Sequence, residues 1–105
     1  MKKGYKAEYE AKKKLAKIYS PKNVFKVKIG GATDFLILEP KKRKVLKLVE
    51  VKTTQKNSWY PGEHDSKQFQ ILKKISKEHK IPVEYWMKIN GEWEILKLDE
   101  VKKFF

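Results

Sequence analysis

The stretch DFLILEPKKRKVLKLVEVK, Asp34 to Lys52, holds two apolar runs on either side of a basic turn and reads as a β-hairpin. With the turn centred on Lys42, Leu38 falls opposite Leu46, Leu36 opposite Leu48, and Asp34 opposite Glu50. Side chains alternate across a sheet, so these pairs share one face. Two of the pairs are what a buried hairpin needs, but the third sets two carboxylates side by side. Unpaired buried charge is costly or forces a pKa shift, and opposed like charges repel unless something positive lies between them. Lys52, on the same face, supplies one positive charge. A divalent cation would supply the rest.

Outward from the hairpin, residues Lys3 to Tyr19 read as a helix with Ala7, Ala11, Leu15 and Ile18 on its apolar stripe. Glu8 lies on the flank of that stripe, and Glu10 points to solvent. SPKN ends the helix, and Val24 to Ile29 alternates as a strand with Phe25, Val27 and Ile29 on one face and a wet lysine face opposite. Gly30 to Thr33 is a flexible link. After Lys52 a polar loop runs to about Asp65, followed by a helix from Ser66 to His79 with Phe69, Leu72, Ile75 and Ser76 on one side. Asn90-Gly91 between PVEYWMKI and EWEILKL marks a second hairpin with a type I′ turn. DEVKKFF allows a last helical turn capped by Asp99. The order α-β-β-β-α-β-β, with a possible short C-terminal helix, is an α/β fold around one mixed sheet, expected to be a single domain over residues 1–105.

The chain carries 26 lysines and arginines against 13 aspartates and glutamates, a formal net charge of +13, with Arg43 the one arginine. These residues are spread along the whole chain. Such an excess implies a polyanionic partner, nucleic acid before an anionic membrane surface. A lysine-rich thermophile surface would raise glutamate alongside lysine, which is not the case here. With no cysteine, disulfides and thiolate metal sites are excluded. The opening MKKGYKAEYEAKKK lacks the apolar segment of a signal peptide. No apolar run is long enough to span a membrane, so the cytosol is the expected compartment.

Glu8, Asp34, Glu50 and Lys52 form the candidate site. Mg²⁺ is usually held by one or two carboxylates while keeping several waters, a role that suits Asp34 and Glu50, with the Val51 carbonyl as a third oxygen. Glu8 would ligate through water or hold a second metal, and Mn²⁺ is expected to substitute for Mg²⁺. Such an ion polarises a phosphoryl oxygen and lowers the pKa of a water, while Lys52 positions that water or stabilises charge on phosphate. The alternative is structural: Asp34 caps a strand, and Glu50 and Lys52 form an edge ion pair. The register and the net charge favour the site.

Asp34, then Glu50-Val51-Lys52 at the end of the next apolar strand, resembles the PD-(D/E)xK nuclease motif, with Thr33 in place of the proline. KGYKAE, Lys3 to Glu8, resembles the KGxxxE start of archaeal-type Holliday-junction resolvases, which puts that family's helix glutamate on Glu8. DSKQFQILKKISKEHKIPVEYWMKI, Asp65 to Ile89, resembles their later part, where a glutamine opens a helix beside the active site and Gln68 is the match. The resemblance implies a restriction-endonuclease-like core with Glu8, Asp34, Glu50, Lys52 and Gln68 as catalytic residues. It implies a homodimeric, Mg²⁺-dependent endonuclease that nicks paired strands of a four-way DNA junction, leaving a 5′-phosphate and a 3′-hydroxyl. A nuclease for flaps, nicks or single strands is the alternative within that class, and a non-catalytic nucleic-acid-binding protein the alternative outside it. The chain departs from the family at Tyr9, where these resolvases usually carry arginine, and in its short KIGGAT segment before Asp34.

Lys2, Lys3, Lys6, Lys26, Lys28 and Lys56 are the candidate contacts to the DNA backbone, which fix position and carry no sequence information. The lysines of PKKRK lie at the far end of the hairpin. Trp59 and Tyr60 are expected to pack rather than to stack on bases, and His64 and Asp65 to be solvated or capping rather than metal-bound. His79 suits the end of its helix. Trp86 and Trp93 read as core or subunit interface, and Phe104-Phe105 as a tail docked on the body or on a partner.

Overall fold

The structure, a computed structural model, describes residues 3–28, 34–42 and 44–105. Helix α1 (Lys3–Tyr19) is followed by a short 3-10 turn and strands β1 (Val24–Lys26), β2 (Phe35–Glu39) and β3 (Lys44–Thr54). Helix α2 (Glu63–His79), strands β4 (Val83–Ile89) and β5 (Glu92–Lys97) and a helical turn α3 (Leu98–Val101) complete the order. The five strands form one sheet in sequence order, antiparallel except for β3 and β4. That parallel pair requires a crossover, and α2 is the crossover helix. The result is the expected α/β fold, a mixed sheet flanked by helices.

Each face of the sheet has its own core. On the α1 side, Ala11 and Leu15 pack against Val24, Phe35, Ile37, Val49 and Trp86. On the α2 side, Phe69 and Leu72 pack against Leu48, Val83, Tyr85 and Met87, joined by Trp59, Leu96 and Val101. Fully burying one such side chain contributes roughly 1.5–3 kcal/mol. The stripe of α1 runs through Ala7, Ala11 and Leu15 as expected but turns away from Ile18, which is 62% exposed. Tyr19, four residues after Leu15, continues it instead.

The hairpin register holds from Phe35↔Val49 through Leu36↔Leu48 to Ile37↔Lys47, then slips, pairing Leu38 with Val45. The expected Leu38–Leu46 pair is therefore absent. A bulge places Leu46 as the extra residue on β3, so Val45 turns to the α2-side core and Leu46 stays exposed. Strand β1 is shorter than expected, with Val24 buried and Phe25 exposed, because this edge strand has cover on its α1 side only. The expected strand end at Ile29, the Gly30–Thr33 link and Arg43 lie outside the described residues.

Helix α2 begins at Glu63, ahead of the expected Ser66, because Asp65 accepts a hydrogen bond from the Gly62 N–H at 2.9 Å and closes the first turn. Asn90 and Gly91 have φ of 48° and 83°, the left-handed pair that a type I′ hairpin turn requires. Among the described residues no helix is long and apolar enough to cross a membrane.

Candidate active site

Asp34 lies one residue before β2. Its N–H donates to the Val49 carbonyl at 3.0 Å, and its Oδ2 accepts the Val51 N–H at 2.7 Å. The expected apposition with Glu50 is thus made at a bend rather than inside the ladder, and a hydrogen bond still links the two carboxyl groups. Val49 and Val51 turn their backbone groups toward β2, whereas the Leu48 N–H bonds Pro82 on the β4 side. A strand residue's N–H and C=O face the same way, so the Val51 carbonyl opens beside Asp34, past the start of β2.

Glu50 is only 3% exposed, on the α2 face between Leu48 and Lys52. Lys52 Nζ stands 3.9 Å from Glu50 Oε1 but is held more closely by α2, donating to Asp65 Oδ1 at 2.7 Å and to Gln68 Oε1 at 2.6 Å. Asp65 and Gln68 are three residues apart and share a helix face, which lets both reach one ammonium. Asp65 therefore does two jobs, one oxygen capping Gly62 and the other holding Lys52. The sequence reading anticipated the cap and missed the lysine contact, for which spacing from Gln68 was the available signal.

Glu8 reaches the same place from α1. Its Oε1 lies 2.9 Å from Lys26 Nζ in an ion pair, yet this buried oxygen receives no aligned hydrogen bond among the described residues. Tyr5, Glu8, Asp34, Glu50, Val51, Lys52, His64 and Gln68 together line one open cleft of about 410 Å³. A larger hollow at the turn end of β4 and β5, about 700 Å³, shares none of these residues.

Burial raises the Asp34 pKa above the ordinary carboxylate range, and the charge of Glu8 adds to the rise. The hydrogen bonds with Glu50 and the Val51 N–H, and the charge of Lys52, oppose it only in part. Asp65 moves the other way: burial pushes it up, but the bonds from Lys52 and Gly62 hold it below its usual value. Behind Glu50, the buried Tyr85 phenol has no hydrogen-bond partner among the described residues, and burial beside Glu50 and Asp65 pushes its pKa strongly upward.

Of the candidate backbone contacts, Lys6, Lys28 and Lys56 are exposed, and Lys26 is exposed but paired with Glu8. Lys2 and the Lys3 side chain lie outside the described residues. Glu10, expected to be solvated, instead accepts hydrogen bonds from Lys88 on β4 at 3.0 and 2.8 Å. Trp59 packs at 6% exposure against Tyr85, Phe104 and Phe105, while Tyr60 stands 71% exposed. Phe105 also stacks on Phe69 at 4.5 Å, so the C-terminal tail docks on its own body. Trp86 is core, meeting Trp93 edge-on.

A mixed sheet carrying α1 on one face and the crossover helix on the other, with paired carboxylates and a lysine at the ends of β2 and β3, is a restriction-endonuclease-like fold. Among solved structures the chain is similar to the Holliday junction resolvase Hjc of the archaeal hyperthermophile Archaeoglobus fulgidus, with a TM-score of 0.67 at 14% identity over 93% of this chain and 75% of that one. The likeness is one of fold. No protein-family model and no curated protein matches the sequence.

Proposed function

We propose that this chain is a metal-dependent DNA endonuclease acting on branched DNA, with the four-way junction as its substrate and a homodimer as its working form. The observation that carries this reading is the half-buried Asp34 and the buried Glu50 opening, with Lys52, into a cleft that also receives Glu8. The shared fold with an archaeal Holliday junction resolvase supports it, as does the net charge of +13.

The donor set fits Mg²⁺. Among the described residues no three His, Cys, Asp or Glu side chains gather tightly enough to cage a metal. A Mg²⁺ ion, which keeps most of its waters and takes one or two carboxylates, needs no such cage. Asp34 and Glu50 would hold it, with the Val51 carbonyl as a third oxygen; the Glu8 oxygen that lacks an aligned bond suits a metal-held water. When bound, the ion supplies charge neutralisation at the phosphate and an acidified water.

The protein's own groups do the rest. The Val51 N–H fixes one oxygen of Asp34 at the cleft. Asp65 and Gln68 hold the Lys52 ammonium at the cleft wall, where it stabilises negative charge developing on a phosphodiester or orients the attacking water. Lys6, Lys28 and Lys56 are exposed cations available to DNA phosphates. These contacts read no bases, so selection must come from the shape of the DNA.

A second reading has one observation in its favour: Lys52 is bonded to α2 more closely than to Glu50, as in a structural ion-pair network. In that case the protein binds nucleic acid without cutting it. Incubation with a mobile four-way junction, a linear duplex and a flap, in Mg²⁺ or EDTA, separates these readings. The expected result is Mg²⁺-dependent nicking of the junction above the other substrates. Cutting of the flap alone would keep the chemistry and remove the junction preference, and no cut in any substrate would sink the enzyme reading.

A further inference from the structure

Next to the acidic cleft, α1 presents two tyrosines that the core does not use. Tyr5 and Tyr9 are 59% and 54% exposed. Being four residues apart, they stand on one face of the helix, one turn above the other. They flank a slot of about 180 Å³ with Phe35 as its floor and Lys12 and Lys26 beside them. Tyr5 and Glu8 line both this slot and the acidic cleft, so the two are continuous. Lys13 Nζ lies 5.2 Å from the centre of the Tyr9 ring, a cation–π contact that steadies the outer tyrosine.

We propose that this slot receives an unstacked base from the DNA strand whose phosphate enters the acidic cleft, held by stacking on Tyr5 and Tyr9. This deepens the nuclease reading and rests on it. The flat faces of two exposed tyrosines suit any base, since every base has a π-face. Lys12 and Lys26 supply positive charge for the backbone of the same nucleotide; Lys26 is free to do so because its side chain stays 62% exposed even while paired with Glu8. Taking a base out of the stack is least costly where pairing is already interrupted. A slot beside the cutting site therefore favours branched or frayed DNA over continuous duplex without reading sequence.

The test uses four-way junctions in which each nucleotide flanking the crossover is replaced in turn by an abasic one, with binding measured in EDTA. At one position the missing base should weaken wild-type binding about fivefold or more. The same replacement should cost the Tyr5→Ala/Tyr9→Ala double variant nothing further, because its stacking partner is already gone. Tyr5→Phe/Tyr9→Phe should recover most of the lost affinity, and the salt dependence should be the same for all three, since no phosphate contact is removed. Ile18→Ser, an exposed change elsewhere on α1, serves as the control that behaves as wild type. Losses that add at every position, an alanine variant that binds like wild type, or a phenylalanine variant that fails like alanine would each overturn the proposal. So would a double variant that alters sedimentation of the free protein and not junction affinity, which would assign the tyrosines to contact between copies. Cleavage in Mg²⁺ is scored separately. A protein that shows the abasic coupling but cuts nothing loses the nuclease reading and keeps the slot.

Discussion

Asp34→Asn is expected to stabilise the metal-free protein at neutral pH, although it removes a group that the cleft is built around. Asparagine keeps the shape and an acceptor for the Val51 N–H, and its amide can donate to Glu50 where two carboxyl groups now meet. Opposed like charges on neighbouring strands cost up to about 1 kcal/mol, so the gain should be about that size. For a chain of this length it corresponds to a rise in Tm of roughly 4–8 °C. The pH dependence has a definite sign. Because burial raises the Asp34 pKa in the folded state, the folded chain keeps a proton that the unfolded chain has already released, over the window between the ordinary aspartate value and the raised one. Wild-type stability in EDTA therefore falls as pH climbs through that window, and the Asn variant lacks this component. Mg²⁺ reverses the ranking. At about a hundredfold excess over its dissociation constant it should add roughly 2.7 kcal/mol to the wild type and much less to the variant. Thermal melts followed by circular dichroism, in EDTA and in Mg²⁺ across a pH series, measure both effects. An Asn variant clearly less stable than wild type in EDTA, or one stabilised equally by Mg²⁺, would refute the reasoning.

Other substitutions probe the supports of the site. Trp59→Ala should cost about 3–5 kcal/mol in urea unfolding, since it empties the space among Tyr85, Phe104 and Phe105. Tyr60→Ala, in the next position but exposed, should stay within about 0.5 kcal/mol of wild type. Asp65→Ala removes the acceptor at the Gly62 N–H and one of the bonds that hold Lys52; it should lower stability by about 1 kcal/mol. The same variant should slow junction cutting about tenfold or more with little change in junction affinity, because a displaced Lys52 affects the reaction and not the docking.

The element order was legible in the sequence, and what it left open has reasons visible in particular residues. Strand alternation and the Leu36–Leu48 pair were enough to bring Asp34 to Glu50, since a slip of one residue would have turned the whole apolar face outward. The bulge at Leu46 left no such mark, as Val45 and Leu46 are equally apolar and only packing under α2 chooses between them. Helical spacing placed Ala7, Ala11 and Leu15 correctly but could not separate Ile18 from Tyr19 as the next buried position. The Glu10–Lys88 pair joins residues far apart in the chain, and no local pattern announces it. Asp65 was legible as a capping residue because capping is local. Its hold on Lys52 depends on how α2 lies against β3, which periodicity does not encode.

The most direct test of the central claim is the rate at which an end-labelled four-way junction is nicked in Mg²⁺ by the wild type, Glu50→Gln and Lys52→Ala, with junction binding measured alongside. Paired nicks by the wild type, lost in both variants while binding persists, are the expected outcome. Equal nicking by all three, or none by the wild type, would contradict the assignment of Asp34, Glu50 and Lys52 as the cutting site.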